Sequence, residues 1–71
     1  MTGFYDKLKS EKELDDEDIE TIKGCFGKQK IKFSMLMEVG DLAITDGKLE
    51  KYGITQGGLR TAILAVIKKY Q

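Results

Sequence analysis

Histidine is absent from this 71-residue chain, and with it the commonest general base, proton shuttle and zinc ligand. No Ser-His-Asp or Cys-His arrangement is therefore possible. The single cysteine, Cys25, has no partner for an internal disulfide and, without a second thiolate or an imidazole, cannot build a structural zinc site. It reads as a small, partly buried helix residue. Proline and tryptophan are also missing, and the lack of proline suits a chain made of helices. Strand signals are poor, because the β-branched residues never alternate with polar ones over four positions. No apolar run approaches the roughly 20 residues of a membrane span, and no signal-peptide apolar stretch is present. The reading is of a chain that works without a membrane, in a reducing setting, cytoplasmic or nuclear.

What is present suits one small domain, residues 1–71. Hydrophobic residues make up 41% and charged residues 34%, a globular and not a disordered composition. At this size a single core is only marginally stable, so little of the chain can be spared for an elaborate site. The formal net charge is zero, yet residues 1–22 hold eight acids against three lysines, and residues 23–71 hold nine basic residues against four acids. The two ends either orient the chain against a partner or another copy, or neutralise each other within one fold.

The periodicity predicts five helices, over about 3–12, 16–26, 33–39, 46–52 and 56–70, an all-α bundle with a long C-terminal helix. Phe4, Tyr5 and Leu8 give the first helix an inward face. Asp15 is a good N-cap for the second, followed by Asp16, Glu17 and Asp18, which complement the helix dipole. The same acids do not form a calcium loop, for they lack its alternate spacing and central glycine. Ile19, Ile22 and Phe26 make the second apolar stripe, and Gly27 is the expected stop. The lysines at 28, 30 and 32 form a basic loop. Gly40 and Asp41 break or bend the third helix, with Leu42 and Ile44 pinning the connection that follows. Thr45 caps the fourth helix, Gly53 ends it in the left-handed conformation, and Ile54 packs back upon it. Thr55 is the expected cap of the fifth, whose Leu59, Ala62, Ile63, Val66, Ile67 and Tyr70 share one face; this helix should be the hub of the fold.

Chemistry-bearing motifs are few. Gly57-Gly58 opens a helix, but neither G-x-x-x-x-G-K-[ST] nor G-x-G-x-x-G is present and no strand precedes it, so phosphate binding is not read here. No cleft for a small-molecule substrate is implied, no cofactor or metal is called for, and the chain reads as non-enzymatic.

The order Leu49, Gly53-Ile54, Gly58, Arg60, Ile63-Leu64, Ile67 resembles the second half of a sterile alpha motif (SAM) domain, a five-helix interaction module. Phe26, Ile31, Leu36 and Val39 resemble the apolar residues leading into that family's third helix. The acidic Asp15–Ile19 helix start and the extended middle resemble the divergent SAM-like domains at the C-terminal end of apoptosis-signal-regulating kinases. The chain departs from the family in offering Phe4 and Tyr5 where a tryptophan is usual, and Lys48 where an acid is common.

The resemblance implies a protein–protein adaptor or oligomerisation domain of a larger signalling or scaffold protein, whose partner is itself or another SAM-like domain. It implies head-to-tail docking of two surfaces. Carried over by position, the end-helix surface holds Lys51, Gln56, Gly57 and Arg60, and the mid-loop surface holds Met35, Met37, Glu38, Asp41 and Asp46. Such a heterologous contact builds open chains. Each residue also has a plainer reading: Arg60 as a solvated charge, one of Met35 and Met37 as core, and Gly57-Gly58 as an easing of a helix crossing. The alternatives are an RNA-binding SAM-like domain or another small helical bundle of death-fold or helix-turn-helix type. Zero net charge and the acidic N-terminal third argue against nucleic acid, because phosphate contacts dominate such binding.

Overall fold

A computed structural model describes residues 2–71; Met1, the first residue of the expected domain, lies outside the described residues. Five α-helices follow one another: α1 (Thr2–Glu11), α2 (Asp16–Lys28), α3 (Phe33–Leu36), α4 (Asp46–Lys51) and α5 (Gly57–Tyr70). A 3-10 turn at Gly40–Leu42 lies between α3 and α4, and no strand occurs among the described residues. No helix among the described residues is long and apolar enough to cross a membrane.

Each helix buries one stripe. Phe4 and Leu8 of α1, Ile19, Ile22 and Phe26 of α2, Leu36, Leu49, and Leu59, Ala62, Ile63, Val66 and Ile67 of α5 close on one another, with Ile31 and Ile54 from the connections. Among the described residues no polar or charged one is buried with them. α5 packs against both α1 and α4, and α1 against α2, so the longest helix is the hub. The radius of gyration, 10.9 Å, matches the roughly 11 Å of a compact chain of this length.

The helix starts follow side-chain chemistry. At α2 the amide of Asp18 donates to Asp15 Oδ1 at 2.8 Å while the amide of Asp15 donates to Asp18 Oδ2 at 3.4 Å, a reciprocal capping box. At α4 the amide of Lys48 donates to Thr45 Oγ1. Thr55 does not cap α5: the helix begins one residue late, Gln56 holds the cap position, and no side chain accepts from its first amides.

Two helix ends share one closure. At α4, Ile54 N–H donates to Leu49 O and Gly53 N–H to Glu50 O, with Gly53 at φ 108°. At α2, Ile31 N–H donates to Phe26 O and Lys30 N–H to Gly27 O, with Lys30 at φ 56°. Both are Schellman closures, in which the residue after the left-handed one folds an apolar side chain back on the helix. The expected stop at Gly27 is therefore displaced. Burial of Ile31 against the core sets the register, and that register puts a lysine where glycine is usual.

The third helix is shorter than expected, ending at Leu36 instead of Val39. Gly40 takes φ 70° and the chain tightens into the 3-10 turn, closed by Ala43 N–H on Gly40 O. Ile44 packs against the core but Leu42 does not. The segment is instead held by Lys48, whose Nζ donates to Asp41 O at 3.2 Å and to Ala43 O at 2.8 Å.

Candidate interaction surfaces

The expected end-helix and mid-loop surfaces each have a residue engaged in an ion pair within the molecule. Arg60 Nε donates to Asp46 Oδ1 at 2.8 Å, and Arg60 Nη1 donates to the carbonyls of Ile54 at 3.0 Å and Thr55 at 2.8 Å. Glu50 lies 3.9 Å away. Only 14% of the arginine side chain is exposed. Arg60 and Asp46, assigned from sequence to opposite binding surfaces, are thus partners within one molecule. The planar guanidinium reaches both because α4 packs against the first turns of α5. Neither the solvated-charge reading of Arg60 nor its assignment to an open docking face fits this arrangement.

The remaining end-helix residues, Lys51, Gln56 and Gly57, are exposed. Of the mid-loop set, Met35, Glu38 and Asp41 are exposed, while Met37 is half-buried against the core. One methionine therefore packs inward and the other shows. Two residues that positional carry-over missed are the most exposed apolar side chains of this region: Val39 at 69% and Leu42 at 67%, with Met35 at 47%. Their signal was in the sequence, two aliphatic residues flanking a Gly-Asp break, but periodicity placed Val39 in a helix and Leu42 as a pin.

Met35, Val39 and Leu42 thus form an apolar run on a segment that is irregular yet tied down. Lys48 fixes its far side, and Gln71 Nε2 donates to Glu38 O at 3.5 Å, joining it to the C-terminal end of α5. Phe33, at the start of α3, meets the Tyr70 ring edge-on at 5.1 Å, and Phe4 lies 6.3 Å from the same ring. The exposed residues lie on a segment bonded at the carbonyls of Glu38, Asp41 and Ala43.

On another face lies an open groove of about 450 Å³ between the α1–α2 connection and α5. Leu14, Gly58, Leu59, Ala62 and Ala65 supply its apolar lining, and Lys12, Asp18, Gln56 and Thr61 its polar part. Ala62 and Ala65 stand close to Gly58 around the axis of α5, whereas Arg60, which meets α4, stands about 200° from Gly58 at 100° per residue. The groove and the α4 side are therefore opposite faces of α5. A second groove, between α1 and α2, is lined by Tyr5, Asp6, Lys9, Asp16, Ile19, Glu20 and Lys23. Lys9 is paired there with Asp16 at 2.5 Å, and Lys23 Nζ lies 5.2 Å from the centre of the Tyr5 ring. The bond to Asp16 and its charge raise the pKa of Lys9, and the same bond lowers that of Asp16. Burial raises the Tyr5 phenol above its ordinary value.

Lys28, Lys30 and Lys32 are exposed and enter no ion pair among the described residues. No group of three or more His, Cys, Asp or Glu side chains placed to hold a metal ion occurs among those residues. Comparison with protein-family models, curated proteins and solved structures returns no significant match.

Proposed function

We propose that this chain is a non-catalytic protein-interaction module of the SAM type, acting as an adaptor or oligomerisation domain within a larger signalling or scaffold protein. The observation behind this reading is the exposure of Met35, Val39 and Leu42 on one anchored eight-residue segment. Solvation of three large apolar side chains so close together is unfavourable, at roughly 25 cal/mol per Å² of apolar surface, and a partner relieves it. Glu38 and Asp41 border the run and would favour a partner with basic groups beside an apolar recess. The five-helix order and the long α5 agree with the family resemblance. Arg60, spent on an internal clamp, adds little to an RNA-binding reading.

The test is association of the purified chain, by size exclusion with light scattering over a wide concentration range, joined to capture from cell extract on an immobilised domain. The double variant V39D/L42D alters two exposed side chains, so folding should persist while association or capture falls. If V39D/L42D keeps every association of the wild type, this segment is not a binding surface and the reading fails.

A further inference from the structure

We infer that the occupant of the α5 groove is the Met35–Leu42 segment of a second copy of this chain, an inference that rests on the interaction-module reading above. Three observations converge on it.

The first is shape and polarity. The molecule exposes an apolar run at Met35, Val39 and Leu42 and an apolar recess lined by Leu14, Leu59, Ala62 and Ala65. Its volume, about 450 Å³, is in the range of pockets that enclose a compact apolar ligand. The small side chains of Ala62 and Ala65, with none at Gly58, leave room for aliphatic groups to approach the helix backbone.

The second is charge. Glu38 and Asp41 flank the projection and enter no ion pair among the described residues. Lys12 lines the groove and is likewise unpaired, and the first amides of α5, at the groove mouth beside Gln56 and Gly58, have no side-chain cap. Asp18 also lines the groove, but its carboxylate accepts from the Asp15 amide in the α2 capping box, which leaves the lysine and the positive end of a 14-residue helix to meet the two carboxylates.

The third is placement. The segment is tied to the C-terminal end of α5 through Gln71 and to α4 through Lys48, while the groove faces away from α4. One molecule cannot fill its own groove with its own projection. The contact is heterologous, each copy offering one half on each side, and it repeats as an open chain. It keeps Gln56 from the surface implied by the family but turns away from Arg60, which faces α4 on the other side of the same helix.

Two single variants test the pairing. Leu42→Asp removes the projection and leaves the groove. Gly58→Glu obstructs the groove and leaves the projection; a Cβ at Gly58 meets nothing within 4 Å. Replacing a helical glycine in a first turn with an acid should raise thermal stability, so loss of binding in G58E cannot be laid to unfolding. By sedimentation velocity the wild type should grow beyond a dimer with concentration, and each variant alone should associate at least about tenfold more weakly. An equimolar mixture of L42D and G58E should form a heterodimer that stops there, because only one competent pair of surfaces remains. A wild type that stays monomeric at millimolar concentration overturns the inference. So does G58E associating like the wild type, or a mixture that gives no heterodimer. In each of those cases capture of partners by the wild type but not by V39D/L42D would leave the interaction-module reading standing.

Discussion

Replacing Arg60 with alanine should destabilise this domain far more than an exposed charge would warrant. The guanidinium makes two hydrogen bonds to the carbonyls of Ile54 and Thr55 and one to Asp46. Buried bonds from a charged donor contribute about 1.5–3 kcal/mol each, and the exposure of these carbonyls lowers that to about 1 kcal/mol each. The Asp46 side chain is 60% exposed, which limits that ion pair to about 0.2–1 kcal/mol. The total expected for Arg60→Ala is roughly 2–3 kcal/mol. Against the total stability of about 4–10 kcal/mol usual for a chain this size, the variant should still fold, with Tm lower by roughly 10–20 °C. Asp46→Ala should lose under about 1 kcal/mol. Arg60→Lys should recover only part, because one ammonium cannot span two carbonyls and a carboxylate as the planar fork does. Urea unfolding followed by circular dichroism measures all three. The clamp would be refuted if Arg60→Ala lost less than about 0.5 kcal/mol, or if Asp46→Ala lost as much as Arg60→Ala.

Other outcomes follow from the helix ends and the titrating groups. Lys30→Gly should stabilise by about 1 kcal/mol, since a left-handed residue with a Cβ costs about that much and glycine does not; thermal unfolding reads it, and no gain would mean that Lys30 does not hold its positive φ. Gly53→Ala should destabilise, read by the same thermal unfolding, because the residue sits at φ 108°, a conformation that a residue with a Cβ rarely adopts. Asp15→Ala breaks the capping box of α2 and should lose about 1 kcal/mol by denaturant titration. Burial raises the folded-state pKa of Tyr5, so its contribution is complete below the ordinary tyrosine value near 10 and is lost as pH rises through the folded value. Stability measured from pH 8 upward should therefore fall, and Tyr5→Phe should flatten that fall; an unchanged alkaline limb would remove Tyr5 as its cause.

The sequence was most informative where structure is decided within a few residues. Asp15 and Thr45 lie three residues from the amides they cap, and Gly53 and Ile54 close α4 on atoms three to five residues back. The apolar stripes of α2 and α5 are periodic, and all their expected core positions except Tyr70 are buried. Tyr70 lies on the last turn and is 37% exposed, edge-on to Phe33 and near Phe4 of α1. Local pattern erred where a distant contact set the outcome. Gly27 looked like a stop, but burial of Ile31 chose the closing register and put Lys30 in the left-handed position.

The candidate surfaces divide in the same way. The Gly40-Asp41 break after the apolar residues of α3 was legible in the sequence, but the course of the segment that follows is set by Lys48 and Gln71 bonding to its backbone. Arg60 and Asp46 are 14 positions apart, and their pairing exists only because α4 folds against α5. The groove needs Leu14 beside Ala62 and Ala65, residues far apart in the chain that the packing of the α1–α2 connection on α5 brings together. Sequence by itself determined the number and order of the helices, because capping and periodicity are short-range. Which charges are spent inside the fold and which apolar groups remain outside was decided by tertiary packing, since burial belongs to pairs of elements and not to any one of them.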